Sequence, residues 1–249
     1  MRATGLETFM KMDPAAIFDR TGTVRRPPAW RVFRETFSHL TYYPPLPSHA
    51  DVPPGNDHVV LAIPGFLRHD RTTRELRAYL DQCGYRSFGW GLGVNWGPAP
   101  RLVAGLRRRL AQLRELEGDR VSVIGVSLGG LLARDLAYDE PDDVRQVITI
   151  ASPISLPTAS TVEPMIRLTA RFYQPAIDVA RLAVPLPVPS CAIFTRDDGT
   201  VAWETCRSAD PNCLNIEASG PHSSIQRNPD VLRAVAMRLG TVGRPEQLA

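Results

Sequence analysis

Ser127 stands in the run Gly125-Val126-Ser127-Leu128-Gly129-Gly130, a G-x-S-x-G pattern. A serine hydroxyl attacks a carbonyl carbon only when a base removes its proton, so the pattern gains meaning from its downstream partners. Two loops supply that chemistry in the order serine, acid, histidine. Arg196-Asp197-Asp198-Gly199-Thr200-Val201 comes first and Ser219-Gly220-Pro221-His222-Ser223 second. His222 is also the one histidine after Ser127, since His39, His49, His58 and His69 all precede it. In such a trio His222 is the base toward Ser127 and then the acid toward the leaving group, while a carboxylate fixes the imidazole tautomer. Asp198 is preferred for that carboxylate because it abuts Gly199, which permits a tight turn; Asp197 is its rival.

Acyl transfer also requires donors aimed at a developing oxyanion. The backbone N–H of Leu128, just after the nucleophile, is one. The second is expected from Ile63-Pro64-Gly65-Phe66-Leu67, with the Phe66 N–H preferred and Leu67 as the alternative. These are main-chain roles. His69 lies close to this turn, but one base suffices. Leu67, Trp90 and Trp96 are expected to wall an acyl pocket, joined by Met165, Leu168 and Phe172 from a segment that could cover it.

The elements that must position these groups can be read from apolar rhythm. His58–Ile63 is a short apolar run stopped by Pro64-Gly65, which predicts a buried strand. Asp70 is expected to cap a helix bearing Leu76, Leu80 and Cys83, ended by Gly84. Strands are predicted at Tyr85–Trp90, Arg120–Val126, Val144–Ala151, Cys191–Thr195 and Leu214–Ala218. Helices are predicted from Pro100 to about Gly118, over Leu128–Tyr138 and over Pro229–Leu239. Strands alternating with helices predict a mostly parallel sheet with helices on both faces, whose chemistry sits at the carboxyl ends of the strands. The serine lies between strand and helix, where its pattern requires it.

Two stretches break the alternation. Residues 1–55 are proline-rich, and within them Trp30, Phe33, Phe37 and Leu40 recur at spacings of three and four. That spacing predicts a helix whose apolar face packs on the following core. Residues 153–188 carry Pro153, Pro157, Pro164, Pro175, Pro185 and Pro187 and are expected to form a lid or cap over the site.

Composition bounds the reading. The 249 residues are 43% hydrophobic and 22% charged with a net charge of +3, enough apolar matter for one large domain. No apolar run approaches the ~18 residues of a membrane span, so stable membrane insertion is not expected. The small charge gives no nucleic-acid footprint; Arg107-Arg108-Arg109 falls on the polar side of a helix whose leucines face inward. Met1–Asp13 shows no apolar core of a secretory signal, so a cytoplasmic location is expected. Cys83, Cys191, Cys206 and Cys213 match no metal-binding spacing, and free thiols are expected, although Cys206 and Cys213 could close a small loop.

Taken together, Pro64-Gly65-Phe66, the Ser127 run, Asp198-Gly199-Thr200-Val201 and Gly220-Pro221-His222 resemble the α/β-hydrolase superfamily. Within it the chain resembles bacterial esterases and lipases of the triacylglycerol-lipase type. Gly89-Trp90-Gly91-Leu92-Gly93-Val94-Asn95-Trp96-Gly97-Pro98 resembles a stretch of small bacterial hydrolases. The resemblance covers about Val59 to Leu239 and implies hydrolysis of a carboxylic ester through an acyl-enzyme on Ser127. It implies no metal and no cofactor, and a small-molecule ester with a hydrophobic acyl group as substrate. The alternatives are an acyltransferase built on the same three residues and a non-catalytic binding protein of the same fold.

Overall fold

A computed structural model describes residues 18–19, 21–28, 30–172, 176–178, 181 and 184–242. Its centre is a six-stranded, wholly parallel sheet formed by β1 (Val59–Ile63), β2 (Arg86–Gly89), β3 (Val121–Val126), β4 (Val144–Ile150), β5 (Ser190–Thr195) and β6 (Cys213–Ala218). The spatial order is β2-β1-β3-β4-β5-β6. Every residue of β1, β3 and β5 is buried, as expected of strands covered on both faces. The predicted strands all form, with ends displaced by a residue or so.

Two apolar layers hold helices to the sheet. On one face α3 (Pro100–Glu117) and α4 (Leu128–Asp139) bury Leu102, Leu106, Leu110, Leu113, Leu131 and Leu132 against Leu61, Ile63 and Val123. On the other, α2 (Arg74–Gln82) and α6 (Pro229–Thr241) bury Leu76, Leu80, Val231, Leu232 and Val235 against Val60, Ile124 and Ile148. Each fully buried leucine contributes about 2 kcal/mol. Pro100 opens α3 and Gly118 closes it in a left-handed conformation. All four cysteines are buried free thiols.

The chain starts in β1, goes to one side for β2, and returns to the other side for β3. That reversal leaves a crevice at the carboxyl ends of β1 and β3, where ligands bind in open parallel sheets.

Three expectations are corrected. Asp70 does not cap a helix: His69 caps a short 3₁₀ turn at Asp70–Thr73, accepting the Arg71 N–H at Nδ1. The Asp70 carboxylate instead accepts the N–H groups of Trp90 and Gly91, each at 3.0 Å, and so ties the end of β2 to that turn. The second correction concerns α1 (Arg31–Thr41), which forms where predicted but faces the opposite way. Trp30, Phe33, Phe37 and Leu40 are 60–82% exposed, while Glu35 and Ser38 are buried. Glu35 bonds main-chain N–H groups of the loops after β5 and β6, and Ser38 Oγ meets Ser224 Oγ, neither of which apolar side chains could do. The third concerns Met165 and Leu168 on α5 (Glu163–Thr169) and Phe172 just beyond it, expected as the inner face of a cover. They are exposed. The segment nevertheless meets the loop after β5, since Thr161 N–H donates to Thr200 O and Ala202 N–H to Ala159 O.

Candidate active site

β3 ends at Val126 and α4 begins at Leu128, leaving Ser127 alone on the turn with φ 52° and ψ −122°. A positive φ at a side-chain-bearing residue is strain that surrounding structure must hold. Here the Ser127 N–H donates to Ile150 O at 2.8 Å, and the helix and strand pass very close behind the serine. A Cβ on Gly125 would stand 2.3 Å from Gly129 O, and one on Gly129 would stand 2.5 Å from Ile63 O. The bracketing glycines are therefore steric requirements of the turn that lifts Ser127 out of the sheet.

The loops after β5 and β6 bring the two partners in. His222 Nε2 lies 3.0 Å from Ser127 Oγ, and His222 Nδ1 lies 2.6 Å from Asp198 Oδ2. A carboxylate only accepts, so Nδ1 carries the proton and Nε2 presents its lone pair to the serine hydroxyl. Asp198 Oδ1 is fixed by the N–H groups of Thr200 (2.8 Å) and Val201 (2.7 Å). Asp197 is placed otherwise. It is about half exposed, faces Arg34 at 3.6 Å and accepts the Gly220 N–H at 3.3 Å. Burial pushes the His222 pKa down, but the Asp198 charge and hydrogen bond, with Glu35 adding to them, outweigh burial and the opposing Arg68. The imidazole therefore titrates above its ordinary 6.5.

The turn after β1 supplies the facing wall. Leu67 N–H is spent on Asn95 O at 2.7 Å, so it cannot serve an oxyanion. That counts against the alternative donor. Gly65 approaches closely enough that a Cβ there would stand 3.3 Å from the Ser127 Cβ. Asn95 holds this turn from below. Fully buried, it donates from Nδ2 to Pro64 O at 2.7 Å and accepts the Gly97 N–H at Oδ1. Its sequence signal lies in the Gly89–Pro98 stretch, where the tryptophans draw the eye first.

Ser127 and His222 open onto a cavity of about 310 Å³. Its wall includes Phe66, Val126, Val162 and Leu40 as apolar members and Thr36, Thr72, Thr161, Thr200 and Gln226 as polar ones, with Arg68 on the β1 side. The six residues expected to line the pocket do not: Trp90 is fully buried in the core, Trp96, Met165, Leu168 and Phe172 face outward, and Leu67 sits off the wall. The expectation rests on tryptophans close to a site pattern and on the large apolar residues of a covering segment, whereas that segment lends the wall only Thr161 and Val162, and α1 lends it Thr36 and Leu40. Sequence reasoning misses Arg68 and Glu35. Glu35 belongs to a stripe with Arg31 and Ser38 at helical spacing, which the apolar residues of the same helix overshadow. Among the described residues no cluster of histidine, cysteine and carboxylate side chains could hold a metal ion.

A serine on a strained strand–helix turn, with an acid and a histidine delivered from later strand ends of a parallel sheet, defines an α/β-hydrolase. The particular family is given by a sequence model: residues 54–238 match that of serine aminopeptidase, S33 (Hydrolase_4), and the chain belongs to this family. No curated protein matches the sequence significantly. Among solved structures, the monoacylglycerol lipase of Paleococcus ferrophilus aligns at TM-score 0.54 and 14% identity, over 76% of this chain and 96% of the lipase. The pyrethroid hydrolase of Sphingobium faniae JZ-2 aligns at TM-score 0.52 and 16% identity, over 74% of this chain and 98% of the other. The thioesterase domain from the curacin biosynthetic pathway gives 0.52 and 13%, over 76% and 93%. At such identities these share the fold.

Proposed function

We propose that the protein hydrolyses carboxylic esters through an acyl-enzyme on Ser127. The observation that carries this reading is the continuous chain from Asp198 through His222 to Ser127, with the serine hydroxyl on the floor of the cavity. In the first half-reaction Ser127 Oγ bonds to the acyl carbon as His222 Nε2 takes its proton. The oxyanion is held by the N–H groups of Phe66 and Leu128. The carbonyl then re-forms, the C–O bond to the alcohol breaks, and His222 returns the proton to the departing oxygen. Water repeats the sequence and releases the acid. The modest cavity and its threonine-rich wall favour short to medium acyl groups over long chains. Esters rather than N-terminal peptides are favoured because Glu35 is the one carboxylate on the wall among the described residues. Its oxygens are taken by backbone N–H groups, leaving no counter-ion for a substrate ammonium.

The test is turnover of p-nitrophenyl esters from acetate to palmitate beside an aminoacyl p-nitroanilide, with Ser127→Ala in parallel. Ester turnover lost in the variant is the expected result, with its optimum at short to medium chains. Turnover confined to the anilide would replace the ester reading with a peptidase, and alcohol acylation dominating at low alcohol concentration would replace it with a transferase.

A further inference from the structure

The carboxylate of Glu35 is buried, and its two oxygens take three main-chain donors. Oε1 accepts the N–H of Gly199 at 2.7 Å and of His222 at 2.9 Å, and Oε2 accepts the N–H of Ser223 at 2.7 Å. Gly199 comes directly after Asp198, so one side chain bonds both the acid loop and the histidine loop. The Ser223 hydroxyl answers by donating to Glu35 O at 2.6 Å. Gly199 has an ordinary φ, so turn formation does not explain it. A Cβ there would stand 2.9 Å from Glu35 Cγ and from Oε1, and 2.8 Å from Arg31 Cβ. The glycine expected to serve the turn makes room for α1.

We propose that Glu35 is the positioning residue of this site, a clamp from the N-terminal helix that sets the Asp198 and His222 loops at triad distance. This rests on the reading of Ser127, His222 and Asp198 as a catalytic triad. Those two loops leave the sheet from adjacent strands, and each could drift independently of the other. Charge-assisted bonds to backbone N–H groups are about twice as strong as neutral ones, and in a buried setting they hold geometry. A misplacement on the order of 1 Å lowers catalysis about 100-fold. Glu35 also places a negative charge beside His222 and helps to keep its imidazole basic. The other charged groups around that ring are Asp198 behind it and Arg68 across the cavity. From α1 itself, Arg31 donates to Arg196 O and Asp198 O, and Arg34 reaches Asp197.

The experiment is the pH profile of kcat and KM for wild type, Glu35→Gln, Glu35→Asp and Ser38→Ala on the best ester substrate, with phosphonate labelling of Ser127 and thermal melting on each protein. Glutamine turns one accepting oxygen into a donor that faces an N–H. The expected result is a fall in kcat of about 10- to 100-fold with KM changed less than about threefold, and an acid limb displaced to lower pH. Aspartate keeps the charge and moves it by a methylene, so the limb should stay while kcat falls. Ser38→Ala removes a different tie of the same helix, its contact with Ser224. It should lower the melting temperature while leaving both limb and kcat in place. Wild-type kcat and limb in a folded Glu35→Gln overturn the proposal, as does Ser38→Ala reproducing its effects. If Glu35→Gln fails to fold, wild-type kcat in folded Glu35→Asp overturns it. Wild-type protein that no phosphonate labels at Ser127 defeats the triad reading itself, a result distinct from all of these.

Discussion

β3 carries a serine–histidine pair at each end, and only one of them is arranged to do chemistry. Past its carboxyl end, Ser127 Oγ meets His222 Nε2 at 3.0 Å. Near its amino end, about 16 Å away by strand rise, Ser122 Oγ meets His58 Nε2 at 2.8 Å. The third partner decides the difference. At His222, Asp198 accepts the hydrogen bond of Nδ1–H, so the proton stays on Nδ1 and Nε2 is free to accept from the serine. At His58, the Arg145 guanidinium donates to Nδ1 at 3.1 Å, which forces the proton onto Nε2 and makes the serine the acceptor. Gln146 Nε2 donates to the same Ser122 oxygen at 3.3 Å. Ser122 is an ordinary strand residue, fully buried, whereas Ser127 is strained and faces the cavity. A serine beside a histidine is a base pair for catalysis only when something behind the ring accepts.

Substitution of each serine is the sharpest way to break this comparison. Ser127→Ala should lower ester kcat about 10⁶-fold with little change in melting temperature, while Ser122→Ala should leave kcat within about twofold. Steady-state kinetics on the two variants checks this; retained turnover in Ser127→Ala would mean that the nucleophile lies elsewhere. Next in size is Asp198→Asn, which leaves His222 in the wrong tautomer and should lower kcat about 10⁴-fold. Asp197→Asn, whose carboxylate touches Gly220 and Arg34 but not the imidazole, should change it less than about threefold.

The two rings also respond to pH in opposite senses. Burial first, and then the Arg145 charge, push the His58 pKa down to about 4, and Asp119 only partly offsets them. His222 is displaced above 6.5. A base works when unprotonated, so activity should fall on acidification with a midpoint above 6.5, about tenfold per pH unit below it. His58→Gln should leave that midpoint unmoved, because His58 is already neutral across the range. A kcat/KM profile with a limb near pH 4 would assign the base role to the wrong histidine.

Much of this architecture is legible in the sequence because it is repetitive or steric. Short apolar runs rich in β-branched residues and stopped by glycine or proline, such as Val59–Ile63, read as buried strands, and the G-x-S-x-G bracket encodes a close approach that other residues forbid. The order of Asp198 and His222 after Ser127 is readable because both fall just past strands. The features that stay hidden depend on partners distant in sequence. Glu35 is one acid among many until Gly199 and Ser223 are beside it, 164 and 188 residues away. The apolar stripe of α1 is its visible signal, yet its polar stripe holds the fold, since only the latter meets unsatisfied backbone groups. Trp90 and Trp96 mislead for a related reason. Aromatic size announces burial or exposure poorly, and it is Asn95 between them that holds the turn after β1 through Pro64 O.

The smallest expected effect on activity, and a measurable one on stability, belongs to the amino-end pair. His58→Ala removes the imidazole from Ser122 and Arg145 and leaves the buried hydroxyl with one partner fewer, a loss of about 1 to 3 kcal/mol. kcat should not change. The linkage signs of the two histidines separate them further. The His58 pKa is depressed in the fold, so the unfolded chain binds the extra proton between about 6.5 and 4. Its stabilising contribution is therefore present above 6.5 and is lost as pH falls toward 4. The His222 pKa is raised, so its contribution is complete below 6.5 and is lost as pH rises through the folded value. Melting temperatures between pH 4.5 and 8 for wild type, His58→Gln and His222→Gln would resolve the two. His58→Gln should flatten the acid-side loss and His222→Gln the loss on the alkaline side. Equal slopes in the two variants would mean that the rings share one environment, against everything that Asp198 and Arg145 impose on them.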